Sequence, residues 1–132
     1  MTQWREHLPS DCPPEDAISA NGLVYRLVDK VNFDEQDFFS YRELYPERQW
    51  DGITECVAGG ISIYTDIEGI HRLRRRVKSM RHKKLIAGQL EPTHGKMKHT
   101  PSETHISHHT WWIPLEAKPW EVFELIQNED ND

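Results

Sequence analysis

The sequence predicts a small α+β domain, with a mixed or mostly antiparallel sheet of about five short strands and one main amphipathic helix. Five short runs rich in aliphatic and aromatic residues are separated by turn signals, and one stretch carries its apolar residues at helical spacing. Strands and helices do not alternate regularly, which argues against a doubly wound parallel sheet. At 132 residues the chain has material for one core. It divides into an N-terminal arm (1–21), the domain itself (22–126) and an acidic tail (127–132) whose composition predicts disorder.

The arm holds a Pro-Pro pair and is expected to dock partly through Trp4, Leu8 and Ile18. Asn21-Gly22 signals a turn into a strand, LVYRLV (23–28), interrupted by Arg26. The acidic stretch 31–52 sets Phe33, Phe38, Phe39, Tyr41, Leu44, Tyr45 and Trp50 among charges, with room for a short helix before Pro46. Those rings either pack on the core or form a recognition loop. Gly59-Gly60 opens the strand ISIY (61–64), and Thr65-Asp66-Ile67-Glu68 has the form of a capping box with Thr65 as N-cap. Ile67, Ile70, Leu73, Val77 and Met80 then fall on one helical face. KLIAGQL (84–90) reads as a strand, His94-Gly95 as a turn, WWIPL (111–115) as a fourth run and WEVFELI (120–126) as the last strand.

Charge is strongly segregated. Residues 71–84 carry eight Arg or Lys and no acid, leaving eight bases against twenty-two acids elsewhere and a net charge of −6. Such a helix suits a phosphorylated ligand, an acidic protein or self-association with the chain's own acidic regions. The acidic total argues against coating nucleic acid. No apolar run approaches the roughly 20 residues of a membrane span, and the N-terminus lacks a secretory pattern, so the expected location is cytoplasmic. Cys12 and Cys56 read as neither a disulfide scaffold nor a four-ligand zinc site, and are expected to be chemically idle.

No phosphate loop, dinucleotide fingerprint, zincin or nucleophile-elbow motif is present. The most suggestive residues are Arg26 on the first strand, Ser62 and Tyr64 on one face of the strand feeding the helix, and Glu124 on the last. A charged group in a core strand is costly unless it pairs or reaches a cleft, so Arg26 and Glu124 are expected to pair with each other. The order of "YR", "GISIYTD" leading into a helix, and a late acidic residue resembles the ADP-ribosyltransferase-like fold in its compact NAD-handling members. The resemblance implies an enzyme that transfers ADP-ribose from NAD or cleaves it. In that reading Arg26 grips a phosphate or ribose, Ser62 orients neighbouring groups, Tyr64 stacks on the nicotinamide, and Glu124 supports the oxocarbenium-like centre. Trp111 or Trp112 completes the cleft, with Trp111 taken as the cofactor-binding one.

Two other readings stand beside it. One is a non-catalytic module that engages an acidic protein or phosphorylated ligand through the basic helix. The other is a metal-dependent hydrolase drawing on His94, His99, His105, His108 and His109, two or three of which would bind zinc, with His105 and His109 on one strand face; alternatively His109 works as an acid-base group. Their spacing matches no standard site, only Glu103 lies near them as an acidic ligand, and no metal is expected.

Overall fold

The computed structural model describes residues 3–49, 54–102 and 105–126, and these build one seven-stranded sheet in which every neighbouring pair is antiparallel. The strands are β1 (Ile18–Ser19), β2 (Gly22–Val28), β3 (Ile61–Tyr64), β4 (Lys84–Leu90), β5 (Lys96–His99), β6 (His108–Trp112) and β7 (Phe123–Leu125). Their spatial order is β1-β5-β6-β3-β2-β4-β7. The α+β class and the antiparallel sheet agree with the sequence expectation; the strand number does not. The two unforeseen strands, β1 and β5, supply few apolar side chains and are recruited by pairing with each other and with β6.

Three further expectations are corrected. The Trp-Trp strand starts earlier than its apolar run, at His108, because His108 and His109 pair with Tyr64 and Ile63. The last strand is short, and Pro119–Val122 forms a 3-10 turn ahead of it. Pro119 fixes φ and lacks the N–H a ladder needs. The helix α3 (Ile67–Arg76) is capped by Asp66 instead of Thr65, the Asp66 side chain accepting from the Glu68 N–H. Thr65 donates its backbone N–H to Ser107. Two short helices, α1 (Tyr41–Leu44) and α2 (Glu55–Ala58), precede β3 and are capped by Ser40 and Thr54.

One face of the sheet carries the main core, where Val24, Val28, Ile63, Ile86, Leu90, Trp111 and Phe123 surround the fully buried Phe38. On the other face α3 packs Ile67, Ile70 and Leu73 over Tyr25, Leu27, Tyr64 and Leu85. Val77 ends that helix in an extended conformation and Met80 follows in a 3-10 turn (Lys78–Met80), so the apolar face is shorter than its periodicity predicts. The His94-Gly95 turn is present. Gly95 has φ +116°, and a Cβ there would meet the Trp112 carbonyl at 2.0 Å, so only glycine fits.

The cysteines are not idle. Cys12 and Cys56 form a disulfide, with Cα atoms 5.4 Å apart. Around it Ala17 and Trp112 are buried, with Trp4 and Leu8 packed alongside, and the Trp112 indole donates to the Cys56 carbonyl at 2.7 Å. Large separation in sequence conceals proximity in space. Disulfides of this kind persist in oxidising compartments. No helix among the described residues is long and apolar enough to cross a membrane. The arm docks further through Arg5, whose Nη1 donates to both carboxylate oxygens of Glu43 at 3.0 and 3.2 Å, and through His7, 2.9 Å from the Gly59 carbonyl. It therefore braces α1 and α2. Trp50, Glu103 and the tail 127–132 lie outside the described residues.

Candidate functional site

β2 and β3 are registered only at Tyr25 and Tyr64, whereas every residue of β2 pairs with β4. Beyond that one pair the two strands part. A cavity of about 250 Å³ opens there, lined by Arg26, Asp37, Tyr41, Ser62, Tyr64 and Lys83 among others. Leu27 and Leu73 form part of its apolar wall, and Tyr41 and Leu44 stand at an exposed margin.

Arg26 occupies the gap between the strands. Its Nη1 donates to the Ser62 carbonyl at 2.6 Å, its Nη2 and Nε to the Asp37 carbonyl at 3.0 and 3.3 Å, and its guanidinium lies 5.7 Å from the centre of the Phe38 ring. Burial pushes the guanidinium down to about 10, with weaker opposing pulls from Tyr41, Asp37, Tyr64 and Asp29. It stays cationic at neutral pH. The cavity's carboxylates are committed elsewhere: Asp29 to Lys83 at 2.7 Å, and Asp37 to Lys30 at 3.2 Å. Among the described residues no carboxylate contacts Arg26. Burial also raises Tyr64, so its phenol is protonated and available as a donor.

The expected Arg26–Glu124 pair does not form. Arg26 is registered with Ile86, and Ile86 with Leu125, so Glu124 alternates onto the opposite sheet face. It shares the face of Tyr64 but sits on β7, three strands away through Tyr25 and Ala87, or roughly 14 Å at ~4.8 Å per strand. Its side chain is exposed. Trp111 is likewise outside the cavity: it is fully buried in the main core, edge-on to Phe38 and stacked on Phe123, and its indole donates to the His94 carbonyl at 2.8 Å. The Trp pair does split between the two faces, as period-two alternation requires, yet Trp112 is also fully buried. Of the sequence-selected residues, Arg26, Ser62 and Tyr64 meet at one cavity; Glu124 and Trp111 do not.

The histidines serve separate local purposes. His94 is buried and accepts from the Glu91 N–H at 2.9 Å. His99 and His109 lie with ring centres 4.8 Å apart, bonded to the carbonyls of Ile106 and Ser107. His108 contacts Ser62 at 2.8 Å and Thr100 at 2.9 Å. No group of three or more metal-ligating side chains occurs among the described residues. Sequence reasoning named His108 within its cluster without relating it to Ser62; only the Ser62–Thr110 register, which sets His108 diagonally opposite, reveals the contact.

Burial holds His94, His108 and His109 below the ordinary histidine range. Protonation therefore favours the unfolded chain. The stabilisation is complete above the unfolded value of about 6.5 and is lost as pH falls below it through the lowered folded values. Tm is accordingly expected to drop between pH 7.5 and 5.5, with a shallower drop in a His109→Asn variant. A Tm that holds steady or rises on acidification contradicts this assignment.

The chain matches no family model, and no curated protein or solved structure is significantly similar to it.

Proposed function

We propose that the cavity where β2 and β3 part is a binding site for a phosphorylated small molecule, with a nucleotide such as NAD as the leading ligand. The observation carrying this reading is Arg26: a half-buried guanidinium at the cavity wall, held by carbonyl oxygens and, among the described residues, lacking a carboxylate in contact. Carbonyl dipoles solvate the cation only in part, so an anion entering the cavity gains a charge-assisted hydrogen bond in a low-dielectric setting. Tyr64, protonated, offers a second donor, and the margin of Tyr41 and Leu44 provides apolar surface for a base or nicotinamide ring. The ADP-ribosyltransferase resemblance assigns the same role to Arg26, and has Tyr64 stack on the nicotinamide. Glu124 lies too far away to serve this cavity, so the proposal is for binding and not for glycosidic cleavage.

A panel of ligands read by thermal shift tests the class. NAD, ADP-ribose and ADP are expected to raise Tm in proportion to their occupancy, with adenosine and nicotinamide riboside giving smaller shifts. A Glu124→Gln variant is expected to respond like the parent. Equal responses to phosphorylated and unphosphorylated ligands would count against the proposal.

The exposed Arg72, Arg75, Arg76, Lys78 and Arg81 favour a second reading, docking of an acidic partner beside the same cavity, which Lys83 lines at its edge. Arg74 belongs to the fold instead, since its guanidinium donates to the Lys83 carbonyl. Replacing Arg72, Arg75 and Arg76 by Gln is the variant that separates docking from folding.

A further inference from the structure

Ser62 and His108 are joined in a way the cavity reading does not use. The His108 Nδ1 lies 2.9 Å from the Thr100 carbonyl oxygen, which can only accept, so Nδ1 carries the proton. In the neutral ring Nε2 then has a free lone pair, and Ser62 Oγ is 2.8 Å from it. The serine hydroxyl therefore donates to His108. Thr100 fixes the ring further through its hydroxyl, 2.9 Å from Nδ1, and that hydroxyl is held by Thr110 at 2.9 Å. Tyr64 packs edge-on against the imidazole at 5.4 Å between ring centres. The result is a hydroxyl aimed at a base whose tautomer and orientation are set by a third group, the arrangement that activates a serine nucleophile. Ser62 is exposed and lines the cavity, so an electrophile can reach it.

We propose that Ser62 is a nucleophile and His108 its general base, acting on a carboxylic ester or thioester. Ser62 Oγ bonds to the carbonyl carbon while its proton passes to His108 Nε2. As the tetrahedral adduct collapses, the bond to the leaving alcohol or thiol breaks and that group takes the proton from His108. Water then attacks the acyl-serine, giving its proton to His108, and the departing Ser62 Oγ recovers it. The cycle releases a carboxylic acid and needs no oxidant or further co-reactant. Arg26, bonded to the carbonyl of Ser62 itself, draws an anionic substituent on the substrate toward the reacting atoms; that last role alone rests on the cavity reading.

An uncharged alkyl fluorophosphonate tests the pair without any substrate. Attack by Ser62 displaces fluoride and leaves a phosphonylated serine, located by intact mass and peptide mapping. Stoichiometric modification of Ser62 is expected, absent in Ser62→Ala and slowed by about 100-fold or more in His108→Asn, in line with the contribution of a positioned base. Circular dichroism and Tm establish that both variants fold; if His108→Asn does not, loss of labelling in Ser62→Ala together with ester hydrolysis by the parent carries the test. An unmodified Ser62 in the parent, or an unchanged labelling rate in folded His108→Asn, overturns the proposal. Labelling of Ser62 that persists in a protein failing to bind phosphorylated ligands would overturn the cavity reading and leave the nucleophile standing.

Discussion

Replacing Cys12 and Cys56 together by serine is expected to cost about 4 kcal/mol of stability, the chain-entropy value for a crosslink closing a loop of this size. The two residues are 44 apart in sequence, so reduction frees a long loop in the unfolded state. The bond also fastens the arm to α2, beside the buried Trp112. A fall in Tm of roughly 10–15 °C follows for a chain of this length. Thermal melts of the oxidised parent, the reduced parent and the double variant check it, the last two being expected to agree. A double variant melting with the oxidised parent would mean that the arm is held without the bond.

Trp111→Ala is expected to be comparably damaging, at about 3–5 kcal/mol for loss of a large buried aromatic. The substitution opens a cavity beside the contacting Phe38 and Phe123 rings and leaves the His94 carbonyl without its indole donor. Because the ring is fully buried and absent from the cavity wall, the loss falls on stability and not on ligand affinity. Trp111→Phe, which keeps an aromatic ring but not the N–H, is the milder companion that remains folded for titration. Denaturant unfolding and ligand titration of both variants separate the two quantities. Weakened ligand binding at parental stability would restore Trp111 to the site and contradict its placement in the core.

How legible the fold was in the sequence depended on where each element draws its stability. The strands Gly22–Val28, Ile61–Tyr64 and Lys84–Leu90 and the start of the helix Ile67–Arg76 are written in local pattern, and they occur where that pattern predicts. Their apolar side chains face a core, so burial and periodicity agree. β1 and β5 are not legible in that way: Ile18 is largely exposed, and Met97 is the one buried apolar side chain of Lys96–His99. They exist because a neighbouring edge needs its backbone groups paired, which is a tertiary demand. Asp66 is the cap in place of Thr65, its side chain accepting from the Glu68 N–H, while the Thr65 N–H goes to Ser107, far along the chain.

The site was legible in part for the same reason. Arg26 stood out as a charge in an apolar strand, and the structure gives it a distinctive environment. Its partners, however, are the backbone carbonyls of Asp37 and Ser62, which no side-chain pattern announces. Glu124 satisfied the same reasoning and sits on an exposed outer strand, where a carboxylate needs no partner. Alternation tells which face a residue takes within its own strand; it does not tell how many strands separate two residues on one face. The Ser62–His108 contact and the disulfide both fell in that gap, each joining segments more than forty residues apart.

Calorimetric titration of ADP-ribose into the parent and an Arg26→Gln variant tests the central claim most directly. The parent is expected to bind, and the variant to bind about 10–100-fold more weakly, corresponding to the roughly 1.5–3 kcal/mol of a hydrogen bond to a charged group. Arg26→Lys, which keeps the charge without the planar fork, is expected to fall between them. Equal affinity in the parent and in folded Arg26→Gln, or no heat of binding in the parent at millimolar ligand, would contradict the assignment of this cavity as an anion site.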